Sequence, residues 1–174
     1  MLIVKTAGIV LILGGCGAWG LLGARHMEKR VEQLSEIRRS LAFLEREITC
    51  AYTPLPVALQ RTARFSELPV SILFSLSAAR LEDRQGMTAE EAWRLGVEGL
   101  KKSCDLIPAD LKLLENAGRQ IGLSSAAEQK KLLLVLQEEL LLQEEKARAK
   151  IESERKIRAY GGFILGAAVV IILI

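Results

Sequence analysis

Apolar residues recur at helical spacing through the middle of this 174-residue chain. The first series steps by three and four along the sequence and comprises Leu34, Ile37, Leu41, Leu44 and Ile48. This spacing places the five side chains on one face of a helix, with arginine and glutamate on the other faces. The pattern predicts an amphipathic helix whose apolar stripe faces a core.

Helix-capping and helix-breaking residues divide the rest of the middle into further helices. Thr53-Pro54-Leu55-Pro56 ends the first helix and opens the second, with Thr53 as the expected N-cap and proline in the first turn. Later boundaries are indicated by a break at Gly86, capping boxes at 88–91 and 125–128, a start at Pro108 and a stop at Gly122. Because the connections are short, we predict an all-α fold, a compact six-helix bundle.

The last helix changes character along its length. Residues 132–136 and 140–142 are apolar on most faces, so this part is expected to lie buried in the centre of the bundle. From Gln143 to Arg158 the helix is charged throughout, which predicts a solvated stalk. Acidic pairs such as Glu144 and Glu145 neighbour basic residues on the helix, and we interpret them as part of a solvated face.

Both ends of the chain are almost purely apolar. Residues 6–24 carry no charge over 19 positions, about the length that a helix needs to cross a bilayer. Residues 159–174 would reach only about 24 Å, so they span by thinning the bilayer or by letting Lys156 and Arg158 reach the interface. We predict a transmembrane helix over 3–24, a cytoplasmic helical bundle over 25–158 and a second transmembrane helix over 159–174. A buried terminal helix is the alternative for the last segment.

The first apolar segment also has an alternative interpretation as a cleaved signal. Leu13-Gly14-Gly15-Cys16 is similar to the cleavage box of a bacterial lipoprotein, but the residues after Cys16 stay apolar. Within the membrane interpretation, small residues fall four apart and are expected to allow close helix packing in lipid; they are Cys16, Gly20 and Ala24 in the first helix, and Gly162 and Gly166 in the second.

The distribution of charge predicts which side of the membrane the middle occupies. All 21 acidic residues lie between Glu28 and Glu154, and of the 24 basic residues only Lys5 lies outside 25–158. Lysine and arginine close to membrane helices mark the cytoplasmic side. We therefore expect a multi-pass protein of the cell membrane with the middle in the cytoplasm and both termini outward.

Composition and motifs argue against several classes of function. A formal net charge of +3, well mixed with acid, does not indicate a nucleic-acid partner. The single histidine, His26, has no carboxylate placed near it by spacing, and the three cysteines lack metal-ligand spacing. No common catalytic or nucleotide-binding motif occurs. We expect no enzymatic activity, no cofactor and no metal.

The order of these elements resembles the stage III sporulation protein AB family of endospore-forming bacteria over essentially the full chain. The resemblance rests on the N-terminal apolar helix, the segments 37–48 and 53–59, the stretch 114–129, and the run 156–162 that enters the last helix. The same elements are more distantly similar to the cytoplasmic domain of type II secretion F proteins. Those proteins carry two such domains, so a single copy is expected to self-associate.

The resemblance implies a function without catalysis. It implies a scaffold or platform subunit of the channel complex between mother cell and forespore, in the mother-cell membrane and in contact with its lipid. The expected partners are the cytoplasmic secretion-type ATPase of that complex (SpoIIIAA) and its other membrane subunits. The alternative from the sequence is a lipoprotein or signal-anchored helical surface protein.

A partner surface is predicted at the second helix. Prolines fix the backbone and so lower the cost of ordering on binding, and an aromatic residue beside them is typical of binding hot spots. Two arginines three apart can present adjacent guanidinium groups to an acidic partner. The candidate interface residues are Tyr52, Pro54, Pro56, Arg61 and Arg64.

Overall fold

The computed structural model describes the backbone of residues 2–83, 86–119, 121 and 126–173, and the side chains of 25–83, 86–119, 121 and 127–154. Six helices occur in this part of the chain, and it contains no strand. They are α1 (Leu2–Thr49), α2 (Leu55–Phe65), α3 (Ser71–Glu82), α4 (Ala89–Lys101), α5 (Pro108–Gly118) and α6 (Ala126–Leu173). The predicted all-α, six-helix fold is confirmed.

The two long helices run antiparallel along each other. Arg38 of α1 contacts Glu144 of α6, whereas Ile48, ten residues further along α1, borders the same small cavity as Leu133. The shorter helices follow in order, each packed against the next, from α2 through α5 to α6. The short loops enforce this neighbour-to-neighbour arrangement.

The core contains the apolar stripe that the spacing predicted. Leu34, Ile37, Leu41 and Leu44 are completely or almost completely buried on α1. Opposite them, Trp93 meets Phe74 edge-to-face with ring centroids 6.0 Å apart. The indole Nε1–H of Trp93 donates to the carbonyl oxygen of Leu114 at 2.8 Å, which satisfies the one polar atom of this buried ring.

Helices α3 and α4 approach each other closely at Gly96. A Cβ atom at this position would collide with the carbonyl oxygen of Leu73 and the hydroxyl of Ser77. The hydroxyl of Ser77 donates to the same carbonyl at 2.7 Å, so this buried polar pair is satisfied within α3. Glycine here permits the backbone contact that holds the two helices together.

The predicted helix boundaries are partly confirmed. Thr88 and Glu91 form the expected capping box, with the Glu91 N–H donating to Thr88 Oγ1 at 3.2 Å and the Thr88 N–H to Glu91 Oε2 at 3.0 Å. The expectation that Thr53 caps α2 is wrong, because Pro54 occupies the N-cap position. Helix α5 ends at Gly118, before the expected stop at Gly122, and the 125–128 box includes Ser125, which lies outside the described residues.

The prediction of a centrally buried α6 is wrong for three of its eight apolar residues. Leu133, Leu136 and Leu140 are buried, but Leu134, Val135 and Leu142 are between 43% and 54% exposed. Only one face of the helix meets the bundle, because α6 packs on α1 and α5 from one side. The three exposed residues form an apolar patch on the opposite face.

The prediction of a solvated stalk is wrong at its start, whereas from Arg148 to Glu154 no side chain is buried. Ala147 is buried, and so is Glu144, which was expected on a solvated face. Both lie on the α6 face that packs against α1, so the bundle continues along the two long helices beyond residue 143.

No helix in the part of the chain that was searched for membrane spans is both long and apolar enough to cross a bilayer. The side chains of the predicted transmembrane segments, 3–24 and 159–174, lie outside the described residues. The backbones of α1 and α6 include residues 3–24 and 159–173 of these segments.

Candidate interaction surface

The corner between α1 and α2 carries the aromatic residue of the predicted interface. After α1, the amide N–H groups of Cys50 and Ala51 both donate to the carbonyl oxygen of Arg46, and the chain then turns. Tyr52 has a φ of 51°, in the left-handed region that non-glycine residues seldom adopt, and its side chain is 80% exposed. This corner therefore presents a large aromatic side chain to solvent.

The two prolines set the direction in which α2 leaves the corner. Pro54 is exposed at the N-cap position, and its carbonyl oxygen accepts from the Ala58 N–H at 2.9 Å. Pro56 lies in the first turn and is half-buried. Neither proline has an N–H group to satisfy, which suits the first turn of a helix. Of the two, Pro54 is the more accessible to a partner.

The two candidate arginines are not equivalent. Arg61 Nη1 donates to Glu47 Oε2 at 2.8 Å, and Thr53 Oγ1 donates to the same oxygen at 2.9 Å. The Arg61 hydrogen bond, with that of Thr53, lowers the pKa of Glu47 below its usual value. Arg64 is exposed, and no ion pair is recorded for it among the described residues. The guanidinium of Arg64 is therefore the more available of the two.

Apolar side chains extend this surface along α2, and the sequence analysis did not assign them. The ring of Phe65 stacks on that of Phe43 of α1 with centroids 4.5 Å apart, and the Arg39 guanidinium lies 5.6 Å above Phe65. Val57 on α2 and Leu68 just beyond it are also exposed, Leu68 by 78%. The helical spacing of Val57 relative to the buried Leu59 would have placed Val57 on the outer face.

Buried charge lies elsewhere, where α1 meets the connection between α4 and α5. Arg30 donates from Nε and Nη2 to the two carboxylate oxygens of Asp110, at 2.7 and 2.9 Å. Nearby, Gln33 and His26 contact Asp105, with the Asp105 N–H donating to Gln33 Oε1 at 2.8 Å. These residues pair across more than 70 positions of sequence, which is why spacing did not reveal them. The burial of Arg30, Gln33 and Asp110 and the pairing of the group indicate a structural role.

A second polar cluster joins the two long helices. Glu144 is buried, and its carboxylate accepts from Arg38 Nη1 at 2.6 Å and from Arg148 Nη2 at 2.7 Å. One carboxylate between two guanidinium groups is well satisfied, so burial of this charge is compensated. No set of three histidine, cysteine or acidic side chains placed to hold a metal occurs in the searched part of the chain.

Comparison with known proteins connects this fold to a family. The family model described as stage III sporulation protein AB matches residues 5–174. The chain belongs to the stage III sporulation protein AB family. A curated relative, stage III sporulation protein AB of Bacillus subtilis (strain 168), is 27% identical over 170 residues, which cover 97% of this chain and 98% of that protein.

A solved structure agrees with the family assignment. It is described as stage III sporulation protein AB (SpoIIIAB), with a TM-score of 0.66 and 27% identity, and the alignment covers 71% of this chain and 97% of that chain. Membership of this sporulation family confirms the resemblance stated from the sequence. The small residues expected to pack in the membrane, Cys16, Gly20, Ala24, Gly162 and Gly166, lie among the side chains outside the described residues.

Proposed function

We propose that this chain is a non-enzymatic platform subunit of the channel complex between mother cell and forespore, anchored in the mother-cell membrane by both apolar ends. In this proposal the bundle lies in the cytoplasm and contacts the secretion-type ATPase of that complex. Family membership supports the role in sporulation. The membrane anchors rest on the uncharged segments at the two ends of the sequence.

The single observation that carries the proposal is the position of the corner at Tyr52. Helix α1 is continuous from Leu2 to Thr49, so the 25 residues after Ala24 carry the chain about 37 Å away from the end of the apolar segment. A cytoplasmic partner that approaches an anchored bundle meets this far end first. Tyr52, Pro54 and Pro56 lie there, with Arg61 and Arg64 on the helix that leads back.

The surface grooves are bordered by charged side chains that suit contact with a partner protein. Glutamates make up five of the ten residues around a groove of about 580 Å³ between α1 and α6, with Arg39 and Arg148 beside them. A groove of about 560 Å³ between α4 and α5 is bordered by similar exposed charged residues.

Affinity purification of the full-length chain from membranes of sporulating cells tests the proposal. The wild-type protein is expected to recover the ATPase, and Tyr52→Ala to reduce that recovery more than about tenfold, since hot-spot truncations cost about 2 kcal/mol or more. Ile107→Ala, at another exposed apolar residue, is the matched control and should retain recovery. Wild-type recovery with Tyr52→Ala would remove this corner as the ATPase surface.

Mass spectrometry of the same sample tests the anchor. We expect an uncleaved chain with an unmodified Cys16. Cleavage before Cys16 with a lipid on its thiol would contradict the proposed topology and favour a lipoprotein on the outer surface.

A further inference from the structure

Exposed apolar side chains concentrate on two helix faces. Nine large apolar residues are exposed among the described side chains, and six of them belong to these faces. The first, the α2 face, consists of Val57, Arg61, Arg64, Phe65 and the adjoining Leu68. The second, the α6 face, consists of Leu134, Val135, Glu138, Leu142 and Glu145.

Each face lies opposite the residues that its helix buries. On α2 the buried residues are Ala58, Leu59 and Thr62, and on α6 they include Leu133, Leu136 and Leu140. Within the described part of the chain, α2 and α6 both contact α1 but not each other. The two faces are therefore separate. Phe65 and Arg61 contact Phe43 and Glu47 of α1 at one edge of the α2 face, and the remainder of each face has no partner helix among the described residues.

The charges of the two faces are opposite. The α2 face carries Arg61 and Arg64, with Glu67 at its edge. The α6 face carries Glu138 and Glu145, and no salt bridge is recorded for either in the described residues; Lys131 and Lys146 border it. A basic, apolar face and an acidic, apolar face of similar length are complementary.

The two faces also lie at the same height along α1. Phe65 of α2 stacks on Phe43, and Arg61 bonds Glu47. On α6, Glu144 bonds Arg38, and the antiparallel run of the two helices then places Glu138 about level with Leu44. Phe65 lies level with Phe43. Arg64, one residue earlier on the antiparallel α2, therefore lies level with Leu44 and so with Glu138.

The same register aligns further residues of the two faces. Helices α2 and α6 both run antiparallel to α1 and are therefore parallel to each other. With Arg64 level with Glu138, Arg61 lies level with Val135, each three residues earlier on its helix. Two copies standing side by side in one membrane are related by rotation about the membrane normal, which keeps these heights equal.

We propose that the α2 face of one copy binds the α6 face of a second copy. The proposal rests on the membrane anchoring proposed above, because anchoring sets the common height. The contact joins two different surfaces, so its repetition builds a ring or a row of bundles in the plane of the membrane. Arg61 and Arg64 then serve the neighbouring copy, and Tyr52 and Pro54 at the far corner remain for the ATPase.

The size of the faces determines where the contact forms. Each face spans about twelve residues, a length of roughly 18 Å. A single helix face of this length buries less area than the roughly 800 Å² per partner of a stable soluble interface. Anchoring in a membrane raises the effective concentration of neighbours, as linkage does for tethered sites. The test accordingly uses the full-length chain in membranes.

Cysteine cross-linking tests the predicted register. In a chain with Cys16, Cys50 and Cys104 changed to serine, Arg61→Cys and Val135→Cys are introduced together, and membranes are treated with a mild oxidant or a short bismaleimide. We expect a ladder of linked multimers from the double variant and monomers from each single variant. Mixing the two single variants should yield dimers only.

A matched pair controls for random collision. Leu76→Cys with Ile107→Cys places two thiols at other exposed positions and should give no ladder. An equal ladder from this pair would overturn the proposal. Efficient linking of Val135→Cys alone would also overturn it, because it would show a symmetric contact of α6 with itself.

Charge reversal tests the Arg64–Glu138 contact within the same assay. Arg64→Glu and Glu138→Arg are each expected to reduce the ladder several-fold, and the two together to restore it, while the melting temperature stays unchanged because both side chains are exposed. Failure of the double change to restore linking would overturn the register.

The failures of the two proposals are distinguishable. Absence of a ladder in a chain that remains anchored and recovers the ATPase overturns the self-contact alone. A chain that is not anchored overturns both proposals.

Discussion

At the residue scale, the most consequential side chains are paired charges that no local pattern reveals. Arg30 and Asp110 are buried together and share two hydrogen bonds, and Asp110 Oδ2 also accepts from the Ile107 N–H at 3.2 Å at the start of α5. Sequence separation of 80 residues hides such a pair until the fold brings it together. Burying either charge without its partner is costly.

We expect Arg30→Met to reduce the free energy of unfolding by about 3 kcal/mol or more, since it leaves the Asp110 carboxylate buried and unpaired. Arg30→Met with Asp110→Asn removes both charges and keeps an oxygen for the Ile107 N–H, so it should recover at least half of that loss. Urea unfolding of the three proteins measures both differences. Equal losses in the single and double variants would show that the unpaired charge is not the cause.

A second residue-scale prediction concerns the capping box. The hydrogen bond from the Thr88 backbone, followed by that from its hydroxyl, lowers the pKa of Glu91 below the usual 4.5. A carboxyl whose pKa is lower in the folded state stabilises the protein above the unfolded pKa, and this contribution is lost as the pH falls through the folded pKa. Thr88→Ala should raise the pKa of Glu91 towards 4.5 in an NMR titration. An unchanged pKa would mean that the hydroxyl contributes nothing.

At the element scale, the sequence predicted those features that depend on local spacing. The stripe on α1 and the Thr88 box follow from steps of three and four residues, and both are present. The orientation of α6 could not be predicted in this way, because apolar residues occupy nearly every position from Leu132 to Leu136. Packing against α1 selects the buried face, and only the fold specifies where α1 lies.

Two residues on α6 test this assignment of faces directly. Leu133→Asp buries a charge where the side chain is 2% exposed, and we expect the bundle to unfold or aggregate. Val135→Asp, two residues away on the same helix at 44% exposure, should change stability by less than about 0.5 kcal/mol. Circular dichroism of a fragment covering residues 27–157 separates the two outcomes. Similar melting of both variants would contradict the assigned orientation.

At the scale of the whole molecule, the exposure of the candidate interface residues was predicted only in part. Tyr52, Pro54 and Arg64 are exposed as expected, whereas Arg61 is held by Glu47. The Phe43–Phe65 stack was missed because it joins two helices, and neither ring alone indicates a surface. Contacts between helices, which residue spacing does not predict, thus define part of this surface.

The account depends most on the bundle being held at a membrane with its far corner in the cytoplasm. The most direct measurement is thiol labelling of single cysteines in intact sporulating cells, with one cysteine at Ala89→Cys in the bundle and one in a tag added after Ile174. A membrane-impermeant reagent should label the tag and spare Ala89→Cys until the cells are opened. Labelling of Ala89→Cys in intact cells, with the tag protected, would contradict the proposed topology.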